Sequence, residues 1–275
     1  MRLSVRRLLV PLTALALLGL GHAMPSGAAP SPASAPSTIV ALNANQSSNW
    51  SGYNQGTLEQ GGTQFHQVSA YWNVPIATQH KRGRSEYSSA WIGIGGGCVD
   101  AGCAVGDNTL IQTGTEQDVT GGKHGSTATY SAWWEIIPGP SITIDNLKVH
   151  AGDTMYADIR EIVPFSNVWT ITLRNVTTGV TFTQTVPYTS THATAEWIVE
   201  TPLLLGTDGV ALAAMPNLSR VQFSNAKTND GMAGLKPSEE IQLVDNNQVI
   251  ATPSAPSSTH DGFNDCTYTT SCPAP

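Results

Sequence analysis

The chain has 275 residues, with 13 lysines and arginines against 20 aspartates and glutamates, a net charge of −7. That balance offers no basic stripe to displace counterions from phosphates, so a nucleic-acid binder is excluded. Hydrophobic residues make up 40% and charged residues only 12%, too apolar for a disordered chain and too polar for a bundle of membrane spans.

The chain opens with Arg2, Arg6 and Arg7, continues through the apolar run Leu8 to Leu20, and then offers small residues at Ala23 and Ala29. A basic start, a short apolar centre and small residues describe a signal peptide over 1–29, and the run is shorter than the ~20 residues that span a bilayer. The product is expected to be secreted, extracellular and free of the membrane after cleavage. Residues 30–42, rich in Pro, Ala and Ser, read as a flexible spacer or short prosegment. Residues 43–275 show no internal linker and are expected to form one domain, a monomer. Removing residues 1–37 takes away three arginines and no acid, so the remaining chain is clearly acidic.

The body of the chain alternates with period two. Val68 to Val74 alternates apolar and mostly polar residues and stops at Pro75. Between Thr127 and Ile137, Tyr130, Ala132, Trp134 and Ile136 share one parity, while Ser131, Trp133, Glu135 and Ile137 share the other. Trp169, Ile171 and Leu173 alternate with threonines, as do Phe182, Gln184 and Val186. Ala195, Trp197 and Val199 alternate with Glu196, Ile198 and Glu200. Leu203 to Met215, the one candidate helix, is broken by Gly206 and Gly209. Many short runs of this kind predict an antiparallel all-β protein. At this length a β-sandwich of two large curved sheets fits, with a concanavalin/lectin-like jelly-roll architecture, one face packing the core and another forming a groove.

Export permits disulfides. Four cysteines allow three pairings, and short Gly- or Thr-containing loops favour Cys98 with Cys103 and Cys266 with Cys272. No histidine sits at ligand spacing near either pair, so no metal is expected there. The chain lacks H-E-x-x-H, G-x-S-x-G and a phosphate-cradling glycine loop. Asp153-Thr154 is followed by Met155, not by the glycine of an aspartic protease. The six histidines beyond the signal are scattered and read as surface residues. Gly95-Gly96-Gly97 reads as a loop that admits close approach of another segment. Asn45, Asn49, Asn175 and Asn217 begin glycosylation sequons.

Carboxylates and amides therefore remain as reacting groups. Glu196, Gln112 and Glu135 each interrupt an apolar strand, near Trp197, Trp91 and Trp133. Three solvent-facing strand residues would explain the pattern equally, but tryptophans are frequent walls of substrate grooves.

Five motifs then occur in order: Ser48-Asn49-Trp50-Ser51-Gly52-Tyr53, Ala90-Trp91-Ile92-Gly93-Ile94, Leu110-Ile111-Gln112-Thr113-Gly114, Ala132-Trp133-Trp134-Glu135 and Ala195-Glu196-Trp197-Ile198. Together they resemble the glutamic peptidase (eqolisin) family. The resemblance implies a sandwich of two seven-stranded antiparallel sheets and a secreted acid endopeptidase acting on proteins or peptides without a cofactor. It places the catalytic Gln/Glu dyad on Gln112 and Glu196. Trp91 and Glu135 match residues that line or order the site, and Trp50 and Trp133 match with less defined roles. Gly95 stands where the family pattern W-x-G-I-D-G has aspartate, and Ser131 where some members have aspartate.

In the implied chemistry, ionised Glu196 takes a proton from water that attacks the scissile carbonyl, then returns it to the leaving nitrogen. Gln112 donates to the developing oxyanion. Two rivals use the same residues differently. A sandwich glycoside hydrolase would pair Glu135 with Glu196 at ~5–5.5 Å or ~6.5–9.5 Å, and a carbohydrate-binding module would leave Glu196 solvated.

Overall fold

A computed structural model describes residues 34–35, 37–122, 125–206 and 209–275; the expected signal peptide lies outside them. Fourteen strands carry the architecture. They are β1 (Trp50–Gly56), β2 (Gln67–Asn73), β3 (Ser89–Gly95), β4 (Leu110–Gly122), β5 (Gly125–Ile136), the short β6 (Ile142–Thr143) and β7 (Thr154–Glu161). Then follow β8 (Val168–Asn175), β9 (Thr181–Pro187), β10 (Thr194–Glu200), β11 (Val221–Thr228), β12 (Glu240–Asp245), β13 (Gln248–Pro253) and β14 (Phe263–Thr267). Within Leu203 to Met215, the broken helix candidate, Leu203–Gly206 and Gly209–Leu212 pair as antiparallel strands instead.

The first sheet runs β6–β5–β4–β3–β10–β1–β12, every neighbour antiparallel. The second runs β9–β8–β7–β2–β11–β14–β13. Strand β12 joins them along one edge. Its Glu240 and Ile241 pair with β1, while Leu243 to Asp245 pair with β13. The result is the expected antiparallel sandwich, with seven principal strands in each sheet among the described residues.

Period two decides what lies between the sheets. Ala195, Trp197 and Val199 of β10 point inward with Ala90, Ile92 and Ile94 of β3 and meet Trp72, Trp169, Leu173 and Phe223 of the opposite sheet. Between the sheets the ring nitrogens of Trp197 and Trp72 are satisfied: Trp197 Nε1 donates to the Ser69 carbonyl at 3.1 Å, and Trp72 Nε1 to Thr115 Oγ1 at 3.1 Å. Strands β7 and β8 of the second sheet alternate buried with more exposed residues, whereas β1, β3 and β10 are buried throughout. These central strands of the first sheet are therefore covered on both faces.

Both local cysteine pairings are present, Cys98–Cys103 and Cys266–Cys272. Two of the four sequons are closed to glycosylation in the folded chain. Asn49 and Asn175 are fully buried and donate to the Thr38 carbonyl and to Asp153, respectively.

Candidate functional site

The outer face of the first sheet carries a second apolar cluster, Trp50, Trp91, Leu110, Trp133 and Ile198, separate from the main core. Trp50 and Trp91 meet edge to face, ring centroids 4.9 Å apart. All three tryptophans assigned to the site by sequence thus share one face.

The polar residues form a row across that face. Glu135 of β5 stands opposite Gln112 of β4, Gln112 opposite Gly93 of β3, Gly93 opposite Glu196 of β10, and Glu196 opposite Asn54 of β1. Gln112 and Glu196 are thus two strands apart, about 9–10 Å between α-carbons, with only a glycine between them. A Cβ on Gly93 would come within 2.9 Å of the Trp91 ring and 3.0 Å of Leu110. The missing side chain leaves room above β3 for the longer side chains on either side to approach.

Gln112 Nε2 donates to Glu135 Oε2 at 2.5 Å, which fixes the amide's orientation and leaves its second N–H free of Glu135. Gln112 Oε1 and both carboxyl oxygens of Glu196 are buried and meet no protein donor in good hydrogen-bond geometry. Buried polar atoms without protein partners call for a solvent or ligand partner. Burial raises the Glu196 carboxyl well above its ordinary value; the nearby Thr194 hydroxyl opposes this and the Asp107 charge adds to it. Burial likewise pushes Glu135 up to about 7, against the Gln112 hydrogen bond.

Glu135 and Glu196 are three strands apart, about 14 Å between α-carbons, and Gln112 stands between them. That order counts against the glycosidase pairing. Glu196 is fully buried, contrary to the solvated carboxylate of a binding module.

Several neighbours were not singled out by sequence. Glu200 shares the parity of Glu196 four residues further along β10; its Oε2 accepts from Trp91 Nε1 at 2.8 Å. Burial, with a contribution from Glu135, pushes Glu200 up to about 8. Asn54 both donates to and accepts from the Cys98 backbone, at 2.8 and 2.9 Å, acting as a strand partner for the glycine loop. That loop comes so close that a Cβ on Gly97 would lie 1.6 Å from Asn54 Oδ1 and 2.8 Å from Glu196 Oε1. Gly95 has φ +94°, and a Cβ there would meet the Thr109 carbonyl at 2.0 Å. An aspartate does not fit this backbone.

Residues Ser37 to Val40 lie over the same face. Ile39 packs against the tryptophan cluster and its N–H donates to the Gly96 carbonyl at 2.9 Å. Ser37 Oγ donates to Glu200 Oε1 at 3.1 Å, and Val40 N–H to Asn49 Oδ1 at 2.8 Å.

Fold and site together define an antiparallel sandwich with a buried carboxyl-and-amide row on the outer face of one sheet. The Peptidase A4 family pattern matches residues 48–263, which contain that entire row, and the chain belongs to this family. It is 28% identical over 174 residues to Aspergillopepsin-2 of Aspergillus niger, covering 62% of this chain and 54% of that protein, so the match spans about half that relative's length. Among solved structures it resembles scytalido-glutamic peptidase with a transition state analog inhibitor, at TM-score 0.59 and 24% identity over 81% of this chain and 98% of that one. It also resembles aspergilloglutamic peptidase from Aspergillus niger, at TM-score 0.52 and 23% identity over 67% and 99%. These structural likenesses establish the sandwich fold.

Proposed function

We propose that this protein is a secreted acid endopeptidase that cleaves peptide bonds with Glu196 as general acid/base and Gln112 as oxyanion stabiliser. The observation that carries the reading is the row itself. Gln112 and Glu196 share a face and a register line, only Gly93 intervenes, and three of their oxygens lack protein donors. A water and a scissile carbonyl placed over Gly93 would supply those partners.

In this mechanism Gln112 Oε1 accepts from the attacking water, and the amide N–H not used by Glu135 donates to the carbonyl oxygen as it gains charge. Glu135 is a positioning residue. Even when protonated it keeps a carbonyl oxygen to accept from Gln112. Burial favours the proton-carrying form of Glu196, which suits proton delivery to the leaving nitrogen. Activating the water requires the ionised form, so this half of the cycle needs solvent in the groove, which draws the carboxyl back toward its ordinary range. Neither an amide nor a protonated carboxyl loses its hydrogen-bonding role in acid, whereas a histidine base would be disabled there.

The seating of Ser37 and Ile39 on the tryptophan face supports assigning residues 30–42 as a short prosegment, downstream of a signal peptide over 1–29 and upstream of a catalytic domain over 43–275. Its departure would admit both substrate and water.

The test is digestion of denatured protein across pH 2–7, with and without pepstatin and EDTA, by wild-type protein and by Gln112→Ala and Glu196→Gln. Acid cleavage untouched by both reagents and lost in both variants is the expected result. Near-wild-type cleavage by either variant, with folding intact, removes the dyad assignment.

A further inference from the structure

Away from the tryptophan face, side chains from three distant segments converge: His66 just before β2, Glu161 at the end of β7, and His192 two residues before β10. Glu161 Oε2 lies 2.7 Å from His66 Nδ1 and 3.0 Å from His192 Nε2, and the three atoms all fall within 4.8 Å of one another. This corrects the surface assignment of the histidines. His192 is buried, and His66 is only partly exposed, whereas His80, His150 and His260 are at the surface as expected.

The cluster is rigidly built. Phe165 N–H donates to Glu161 Oε2 at 2.9 Å and Asn167 N–H to Oε1 at 2.6 Å, so the backbone orients the carboxylate. Phe165, Asn167 and His192 itself have left-handed φ values of 65°, 57° and 59°, although none is glycine. Such conformations persist where surrounding structure over-determines them, and they concentrate at ligand clamps. Phe165 and Trp169 wall the cluster, with ring centroids 5.6 and 5.4 Å from that of His192.

We infer that His66 Nδ1, His192 Nε2 and Glu161 Oε2 form a binding site for a divalent transition-metal ion of the Zn²⁺ type. Two imidazole nitrogens and one carboxylate oxygen are a zinc ligand set, and imidazole disfavours Ca²⁺ and Mg²⁺. Metal–ligand bonds of about 2.0–2.1 Å in a tetrahedron place ligand atoms about 3.3–3.5 Å apart. The two separations from Glu161 are shorter than that edge by about 0.3–0.8 Å, and the two ring nitrogens lie within 4.8 Å of each other, so the ion seats once the imidazoles draw back from the carboxylate and close on the ion. The backbone N–H groups on Glu161 supply the outer contacts that hold a ligating carboxylate in place. The fourth position opens on the side of His66, whose side chain is 17% exposed, and takes water.

Each ring nitrogen facing Glu161 must present a lone pair to the ion. A proton held there either moves to the other ring nitrogen or leaves to solvent, so the hydrogen-bonded and metal-bound arrangements are alternatives. Bound metal would clamp His192 at the foot of β10, four residues before Glu196, to the start of β2 and to the end of β7. The separations of 95 and 31 residues explain why spacing alone gave no metal signal.

The test uses the full secreted chain, stripped with chelator and titrated with ZnCl₂ at pH 7.5 by calorimetry, with MgCl₂ as contrast. One Zn²⁺ per chain with micromolar or tighter Kd and a raised Tm is expected. A His66→Ala/His192→Ala double variant should bind about 100-fold more weakly or worse. Absence of zinc binding, or equal binding by a folded double variant, overturns the site and leaves a purely hydrogen-bonded cluster. Because the double variant can fail to fold, Co²⁺ added to the wild type provides a second measurement. Intense visible bands of a four-coordinate nitrogen/oxygen site support the proposal, and the pale spectrum of six-coordinate aqueous cobalt refutes it.

Discussion

The two faces of the first sheet are made by the same strands and alternate residue by residue, yet they solve opposite problems. On the inner face, Ala195, Trp197 and Val199 pack against hydrocarbon, and the Trp197 ring N–H ends on a backbone carbonyl. On the outer face, Glu196, Ile198 and Glu200 are just as buried, but the Glu196 oxygens meet no protein donor. The inner face lowers the free energy of the folded chain. The outer face retains desolvated polar groups whose partners must come from outside the protein, which is the signature of a site rather than a core.

Substitutions one residue apart should separate the two roles. Glu196→Gln should lower turnover by about 10²–10⁴. It should leave stability at pH 4 near wild type and raise it at pH 7.5, because Gln has no proton to lose from a buried site. A stability loss as large as the activity loss, read by thermal melts and peptide assays side by side, would collapse the distinction between the faces. Trp197→Ala, on the opposite side of the same strand, should cost about 3–5 kcal/mol in denaturant unfolding. Gln112→Ala should lose about 10²–10³ in turnover with little change in melting; a tenfold loss or less would mean that another donor holds the oxyanion.

The pH dependence of stability sharpens the same contrast. Burial pushes Glu200, Asp118 and Asp265 up to about 8 and Glu135 up to about 7. Between their ordinary values and these, the folded chain holds more protons than the unfolded chain. Stability is therefore greatest on the acid side and falls as pH rises from about 4 toward 8. Glu161 and Asp230 are shifted the other way and weaken the fold only at the acid extreme. Melting temperatures that rose between pH 5 and 8 would contradict this balance. The smallest effect belongs to Glu200: Glu200→Gln keeps an acceptor for Trp91 and should change kcat less than about tenfold, whereas Glu200→Leu leaves that indole unpaired and should raise KM more than it lowers kcat.

Much of the site was legible because strand parity is a local property. Assigning Trp133 and Glu135 to one parity, and Trp134 and Ile136 to the other, already separates groove from core in β5. Glu200 was equally readable by parity with Glu196, but nothing in the sequence marks its bond to Trp91, which spans 109 residues. The same holds for Asn54 bracing the glycine loop, for Ile39 lying on the tryptophan face, and for β12 splitting its pairing between two sheets. The conformation at Gly95 shows the limit from the other side: its departure from the family pattern was visible, but not the Thr109 carbonyl that excludes a side chain there.

The sequence by itself determined the strands and their alternating faces, because alternation acts over a few neighbouring positions, and its five motifs, through their resemblance to a family, pointed to the two residues proposed as the dyad. Only the tertiary structure decided which strands lie side by side. Register placed Gly93 between Gln112 and Glu196, set Glu135 behind the amide, and drew His66, Glu161 and His192 into one cluster. Those outcomes depend on long-range hydrogen-bond ladders and packing, whose partners no local pattern specifies.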